Sequence, residues 1–74
     1  MESSTNILVF KTNIKRKLDQ QRIKKILDAI PMILRWNIDT KDADCVLRVV
    51  SHRVSPSDIM KVVRDTGYQC QELE

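Results

Sequence analysis

Seventy-four residues allow one domain, which at this size buries only about 60% of its unfolded surface and is viable but marginal. Hydrophobic content of 42% against 31% charged is a globular balance rather than a disordered one, and a net charge of +3 is too weak by itself to argue for nucleic acid. No apolar run reaches the roughly 18 residues of a membrane span, and MESSTNILVF lacks the cationic start and long apolar core of a secretory leader, so a cytoplasmic protein is expected.

Residues 1–6 read as a polar tail and residues 7–74 as a single domain. Residues 7–11 are predicted as the first strand, because the apolar run is rich in β-branched and aromatic side chains. A polar loop, 12–18, follows, and it holds Lys15, Arg16 and Lys17. Three cations are an odd choice ahead of a helix, whose N-terminus already carries partial positive charge. That helix is expected over residues 19–30. Ile23, Ile26, Leu27 and Ile30 recur at i, i+3, i+4 and i+7, with Arg22, Lys24, Lys25 and Asp28 on the outer face. Asp19 suits an N-cap or first-turn position, and Pro31 stops the helix.

Residues 33–39 form the second predicted strand, with Leu34, Trp36 and Ile38 on one face. The stretch 40–44, TKDAD, is turn-like and joins it to a third strand over 45–50, where Cys45, Leu47 and Val49 share a face. Ser55-Pro56-Ser57-Asp58 opens a second helix, with a capping serine, a proline at the first helical position and an acid at the third. Ile59, Met60, Val62 and Val63 supply its apolar side, and the single glycine, Gly67, ends it. Residues 68–73 are the fourth strand. The order β-α-β-β-α-β with right-handed crossovers gives a ferredoxin-like α+β sandwich, an antiparallel sheet of order 4-1-3-2 with both helices on one face. In that topology loop 12–18, turn 40–44 and junction 66–68 lie at one end, with Pro31 and His52 at the other.

Four segments then carry a family resemblance. Ile30-Pro31-Met32-Ile33 matches an L-P-G-V at the end of a first helix, and Trp36-Asn37-Ile38-Asp39 matches V-x-V-D. Leu47-Arg48-Val49 matches V-x-V, and Thr66-Gly67-Tyr68 matches a helix ending in G-Y. From residue 7 to 73 the chain resembles the heavy-metal-associated domain of copper chaperones and metal-pumping ATPases. Counting back from Pro31 without a gap, Ile14 takes the place of the methionine in that family's G-M-x-C-x-x-C. Arg16 and Asp19 take the places of its two metal-binding cysteines. Lys11-Thr12-Asn13-Ile14-Lys15 is similar to the K-T-N-I-K of bacterial members.

The resemblance implies a metal-chaperone scaffold whose ligands are replaced. Paired thiolates suit a soft d10 ion; arginine neither deprotonates nor ligates, and a lone carboxylate is a hard donor. An Arg16–Asp19 ion pair is expected to span the gap. The family also meets its partners through charged surfaces around this loop. Lys15, Arg16, Lys17, Asp19, Arg22, Lys25 and Tyr68 are therefore the candidate interaction surface, set against the plainer reading of a solvated charged face.

The remaining candidates favour structural roles. Cys45 and Cys70 sit on strands separated by strand one, about 10 Å apart, and are expected as buried thiols rather than a disulfide or a substitute metal site. His52 reads as an exposed loop residue at the opposite end. Trp36 is expected at the sheet–helix interface with its N–H at an edge, and Tyr68 over loop 12–18. RNA-binding sheets need exposed aromatics on their central strands, and the chain's three aromatics form no such pattern, so no nucleic-acid partner is expected. Acylphosphatases share the strand order and hold phosphate with a first-loop arginine, which Arg16 superficially matches. Loop 12–18 has no glycine for a phosphate cradle, and no nucleophile–base pair is evident, so no enzyme is expected.

The sequence thus points to a small cytoplasmic bacterial protein, without cofactor or membrane partner, that has lost soft-metal binding. It would serve as an interaction or regulatory module with an acidic protein partner at loop 12–18, its oligomeric state left open. The main alternative is a metal-binding or transport member that uses other ligands or a partner's thiols.

Overall fold

The structure, a computed structural model, describes residues 5–73. Along the chain lie β1 (Thr5–Thr12), α1 (Lys17–Leu27), β2 (Ile33–Asp39), β3 (Val46–His52), α2 (Pro56–Asp65) and β4 (Cys70–Glu72). The strands form one antiparallel sheet of order β2-β3-β1-β4, the expected 4-1-3-2 read from the other edge. Both helices cover the same face. Ile23 and Leu27 of α1 and Ile59 and Val63 of α2 close over Phe10, Leu47, Val49 and Cys70 of the sheet, with Ile14 at the loop end, all buried. Each large apolar side chain removed from water this way contributes about 1.5–3 kcal/mol, and these residues carry most of a small domain's stability.

Several boundaries differ from the sequence reading, each for a local reason. β1 begins at Thr5, because Thr5 and Asn6 pair with His52 and Ser51 of β3. Residues 5 and 6 of the expected tail over residues 1–6 thus belong to β1, and residues 1–4 lie outside the described ones. The same pairing makes His52 the half-buried last residue of β3, not an exposed loop residue. α1 starts at Lys17, with Arg16 as N-cap in an extended conformation, which puts Asp19 in the first turn at the third helical position. The helix stops at Leu27, and Ile30 packs on the core from the turn beyond it. Cys45 precedes β3 rather than opening it, since its φ of 44° is left-handed and cannot continue a strand. Tyr68 likewise stands outside β4.

One difference changes a face. The β2–β3 register shifts between Ile33 and Arg35, leaving Leu34 as an extra, unpaired residue. Such a bulge breaks the period-2 alternation. Ile33, Trp36 and Ile38 therefore meet the core, while Leu34 is 58% exposed and does not share their face.

The two ends of the sandwich separate as the topology requires. At one end the Thr12 amide donates to the Asp44 carbonyl, and the Thr12 hydroxyl donates to the Cys45 carbonyl at 2.7 Å while accepting from the Ile14 amide. At the other, the His52 amide donates to the Met32 carbonyl.

Candidate functional site

Two local structures meet at the loop end. The first is the start of α1. An N-cap normally offers a side-chain acceptor, and arginine has none to offer. The chain completes half of a capping box instead. The Asp19 carboxylate reaches back and its Oδ2 accepts from the Arg16 backbone N–H at 3.3 Å. The same oxygen accepts from the Arg16 Nε–H at 3.2 Å. Arg16 is thereby held along one edge of its guanidinium while its side chain stays 77% exposed, against 7% for Asp19.

The second local structure is the end of α2. Gly67 has φ +102°, a region that side-chain-bearing residues rarely occupy. Its amide donates to the Arg64 carbonyl and the Tyr68 amide donates to the Val63 carbonyl, the paired bonds of a Schellman motif. This reversal carries Tyr68 back toward α1, where its hydroxyl donates to Asp19 Oδ1 at 2.8 Å. Next to it, the Gln69 amide donates to Asn13 Oδ1 at 2.8 Å, tying the loop to the entry of β4. Arg64 adds a brace, donating through Nε and a terminal amine to the Cys70 carbonyl.

Asp19 is thus a buried carboxylate with both oxygens engaged. The Tyr68 hydrogen bond, followed by that from Arg16, holds its pKa below the ordinary carboxylate value and outweighs the opposing effect of burial. Asp19 stays an anion at neutral pH, matched by a guanidinium that cannot lose its proton.

The structure brings Arg16, Asp19 and Tyr68 into one network. The other candidates surround it less tightly. Lys15 and Lys17 flank Arg16 and are exposed. Leu18, Arg22 and Lys25 follow one line along the solvent side of α1, so Lys25 stands about 12 Å along the axis from Lys17, outside the loop cluster. Among the described residues, Lys15, Lys17, Arg22 and Lys25 form no ion pair. Lys24 is separate: it pairs with Asp28, which also accepts from the Trp36 indole N–H at 2.9 Å. That settles Trp36 at the interface with its N–H at an edge.

The two thiols stay apart from this network. Cys45 and Cys70 are both free and buried, on either side of Thr12. Burial pushes the Cys70 thiol up to about 11, against a smaller opposing pull from Arg64, so it is protonated at neutral pH. Among the described residues, no group of three or more His, Cys, Asp or Glu is placed to hold a metal. At residues 16 and 19 the chain presents a guanidinium and a carboxylate already neutralised by its neighbours. These donors do not fit a soft cation.

The Tyr68–Asp19 bond spans 49 residues and was not legible beyond the expectation that Tyr68 packs over the loop. Its only sequence signal is Gly67, which marks a chain reversal without saying what the next side chain meets.

No protein-family model and no curated protein sequence matches the chain. Solved structures do. The yeast copper transporter domain Ccc2a superposes with a TM-score of 0.77 at 16% identity, covering 92% of this chain and 94% of its own. Oxidized MerP from Ralstonia metallidurans gives 0.79 at 12% identity over 95% and 99% of the two chains. The N-terminal domain of ZntA in its Zn(II) form gives 0.77 at 11% identity over 97% and 96%. This chain therefore has the fold of the heavy-metal-associated domains over nearly its whole length.

Proposed function

We propose that this protein is a heavy-metal-associated-type domain that no longer carries a soft metal and works as a small protein-interaction or regulatory module. It would act in the cytoplasm, without catalysis and without a resident cofactor. The observation that carries the reading is the Arg16–Asp19–Tyr68 network. It closes the loop end with its own charges, so the fold is complete there without an ion. Around it, Lys15 and Lys17 turn unpaired cationic groups outward beside the exposed Leu18, the guanidinium of Arg16 stays largely exposed while one edge holds Asp19, and Arg22 and Lys25 continue the same sign along α1. An acidic protein surface matches that corner, and charge pairs of this kind set orientation and association rate.

The test is anaerobic titration of the reduced protein with Cu(I), and separately with Zn²⁺, against a competing chelator. The expected result is that the chelator keeps the metal. Stoichiometric capture at residues 16–19 would overturn the reading. Capture that appears only when a dithiol peptide is added would favour a metal-handling role that relies on a partner's thiols.

A further inference from the structure

The sheet face opposite the helices carries a second surface, independent of the loop end. Pairing across the strands lays it out in rows. Ile7, Val50 and Arg35 stand side by side, then Val9, Arg48 and Asn37, and a third row holds Val46 and Asp39. None of these apolar residues belongs to the core cluster on the helix side. The bulge adds Leu34 next to Arg35, whose cross-strand partner is Val50. Ile7 and Leu34 are the two most exposed large hydrophobics among the described residues, at 69% and 58%.

Isolated exposed apolar side chains need no explanation, whereas a contiguous set does. Here Ile7, Val9, Val50 and Leu34 are contiguous, and two exposed arginines interrupt them. Arg35 and Arg48 have neither an ion pair nor a side-chain hydrogen bond among the described residues. The one acid in the three rows, Asp39, accepts from the Lys41 amide. The face is thus an apolar strip with unanswered positive charge.

We infer that this open sheet face docks a segment of another protein that combines an apolar stripe with aspartate or glutamate, such as an acidic amphipathic helix. Charge selects this occupant. A second copy of the same face would set Arg35 and Arg48 against their own counterparts, and like charges across an interface are unfavourable. Single-stranded RNA on a sheet needs aromatic platforms for stacking, and this face has none. A helix laid on the face would give the sheet a second covering layer and bury Ile7 and Leu34.

The probe is a synthetic helical peptide of about five turns with leucines along one side and glutamates flanking them, titrated into isotope-labelled protein and followed by amide chemical shifts. The expected result is saturable shifts at residues 7–9, 34–36 and 48–50, weakened by added salt. Arg35→Glu with Arg48→Glu should weaken binding about tenfold or more, and Ile7→Asp should do so through the apolar strip. Arg16→Glu at the loop end should leave these shifts in place, which separates this surface from the proposed loop site. Shifts confined to residues 13–19, equal binding of a lysine-flanked peptide, saturable binding of a single-stranded RNA oligomer alone, or concentration-dependent self-association through the same residues would each overturn the proposal.

Discussion

Asp19 concentrates the chemistry of the loop end in one side chain. Its pKa is lowered in the folded chain by Tyr68 and Arg16, so the folded state holds a proton there less readily than the unfolded state does. The stabilisation is fully present above the unfolded carboxylate value, near pH 4, and is lost as pH falls through the lower folded value. Urea midpoints measured from about pH 7 down to about pH 2 should show an acid-driven loss. Asp19→Asn should lower the neutral-pH midpoint and flatten that loss, whereas Tyr68→Phe should lower the midpoint and shift the remaining acid transition upward. An acid profile identical in Asp19→Asn and the parent would remove Asp19 from the account. A second residue makes the opposite kind of case. Ser51 is fully buried, and its hydroxyl has no partner among the described residues. An unsatisfied buried hydroxyl is destabilising, so Ser51→Ala should be neutral or stabilising by up to about 1 kcal/mol in chemical denaturation. A loss of several kcal/mol would mean that the hydroxyl is bonded after all.

Elements differ in how openly the sequence announces them. α2 was legible almost to the residue, because Ser55 and Asp58 cap each other reciprocally and Pro56 stands in the first turn. α1 was legible by its apolar spacing but not by its start, since arginine is no N-cap in any propensity scale and only the reach of Asp19 makes it one. β2 was found at its true limits with one face misjudged at Leu34, because a bulge is a pairing event between two strands and leaves no mark in the period of either. At the loop end the Arg16–Asp19 pair was legible from its spacing, but the network was not, since it depends on the Schellman turn aiming Tyr68. That turn predicts its own test. A Cβ at Gly67 would meet nothing within 4 Å, so Gly67→Ala has no steric clash and its cost is conformational. About 1 kcal/mol or more of stability should be lost to the positive φ. The hydroxyl of Tyr68 should lose its fixed position on Asp19, so that Gly67→Ala and Tyr68→Phe together cost less than their sum.

At the scale of the whole molecule, the question is what the fold needs from an ion. A ligand that binds only the folded state raises stability by an amount set by its concentration over its dissociation constant, about 2.7 kcal/mol at a hundredfold excess. The parent chain, whose loop end is already closed by Arg16, Asp19 and Tyr68, should therefore show the same thermal midpoint with reduced copper as with chelator. The scaffold shares the fold of the metal-handling domains it superposes on, and in this chain position 16 is exposed at the N-cap with position 19 in the first turn beneath it. Thiolates placed there would sit at a helix N-terminus, where partial positive charge favours them, next to a Tyr68 hydroxyl able to donate to sulfur. The double substitution Arg16→Cys with Asp19→Cys should accordingly lower the apo midpoint, because the network is gone, and recover or exceed it when Cu(I) is supplied under reducing conditions. If the double variant folds yet gains nothing from copper, the loop backbone itself is not metal-competent. If the parent gains as much as the variant, the ion is held elsewhere on the molecule and the closed loop end is not the reason this chain does without thiolates.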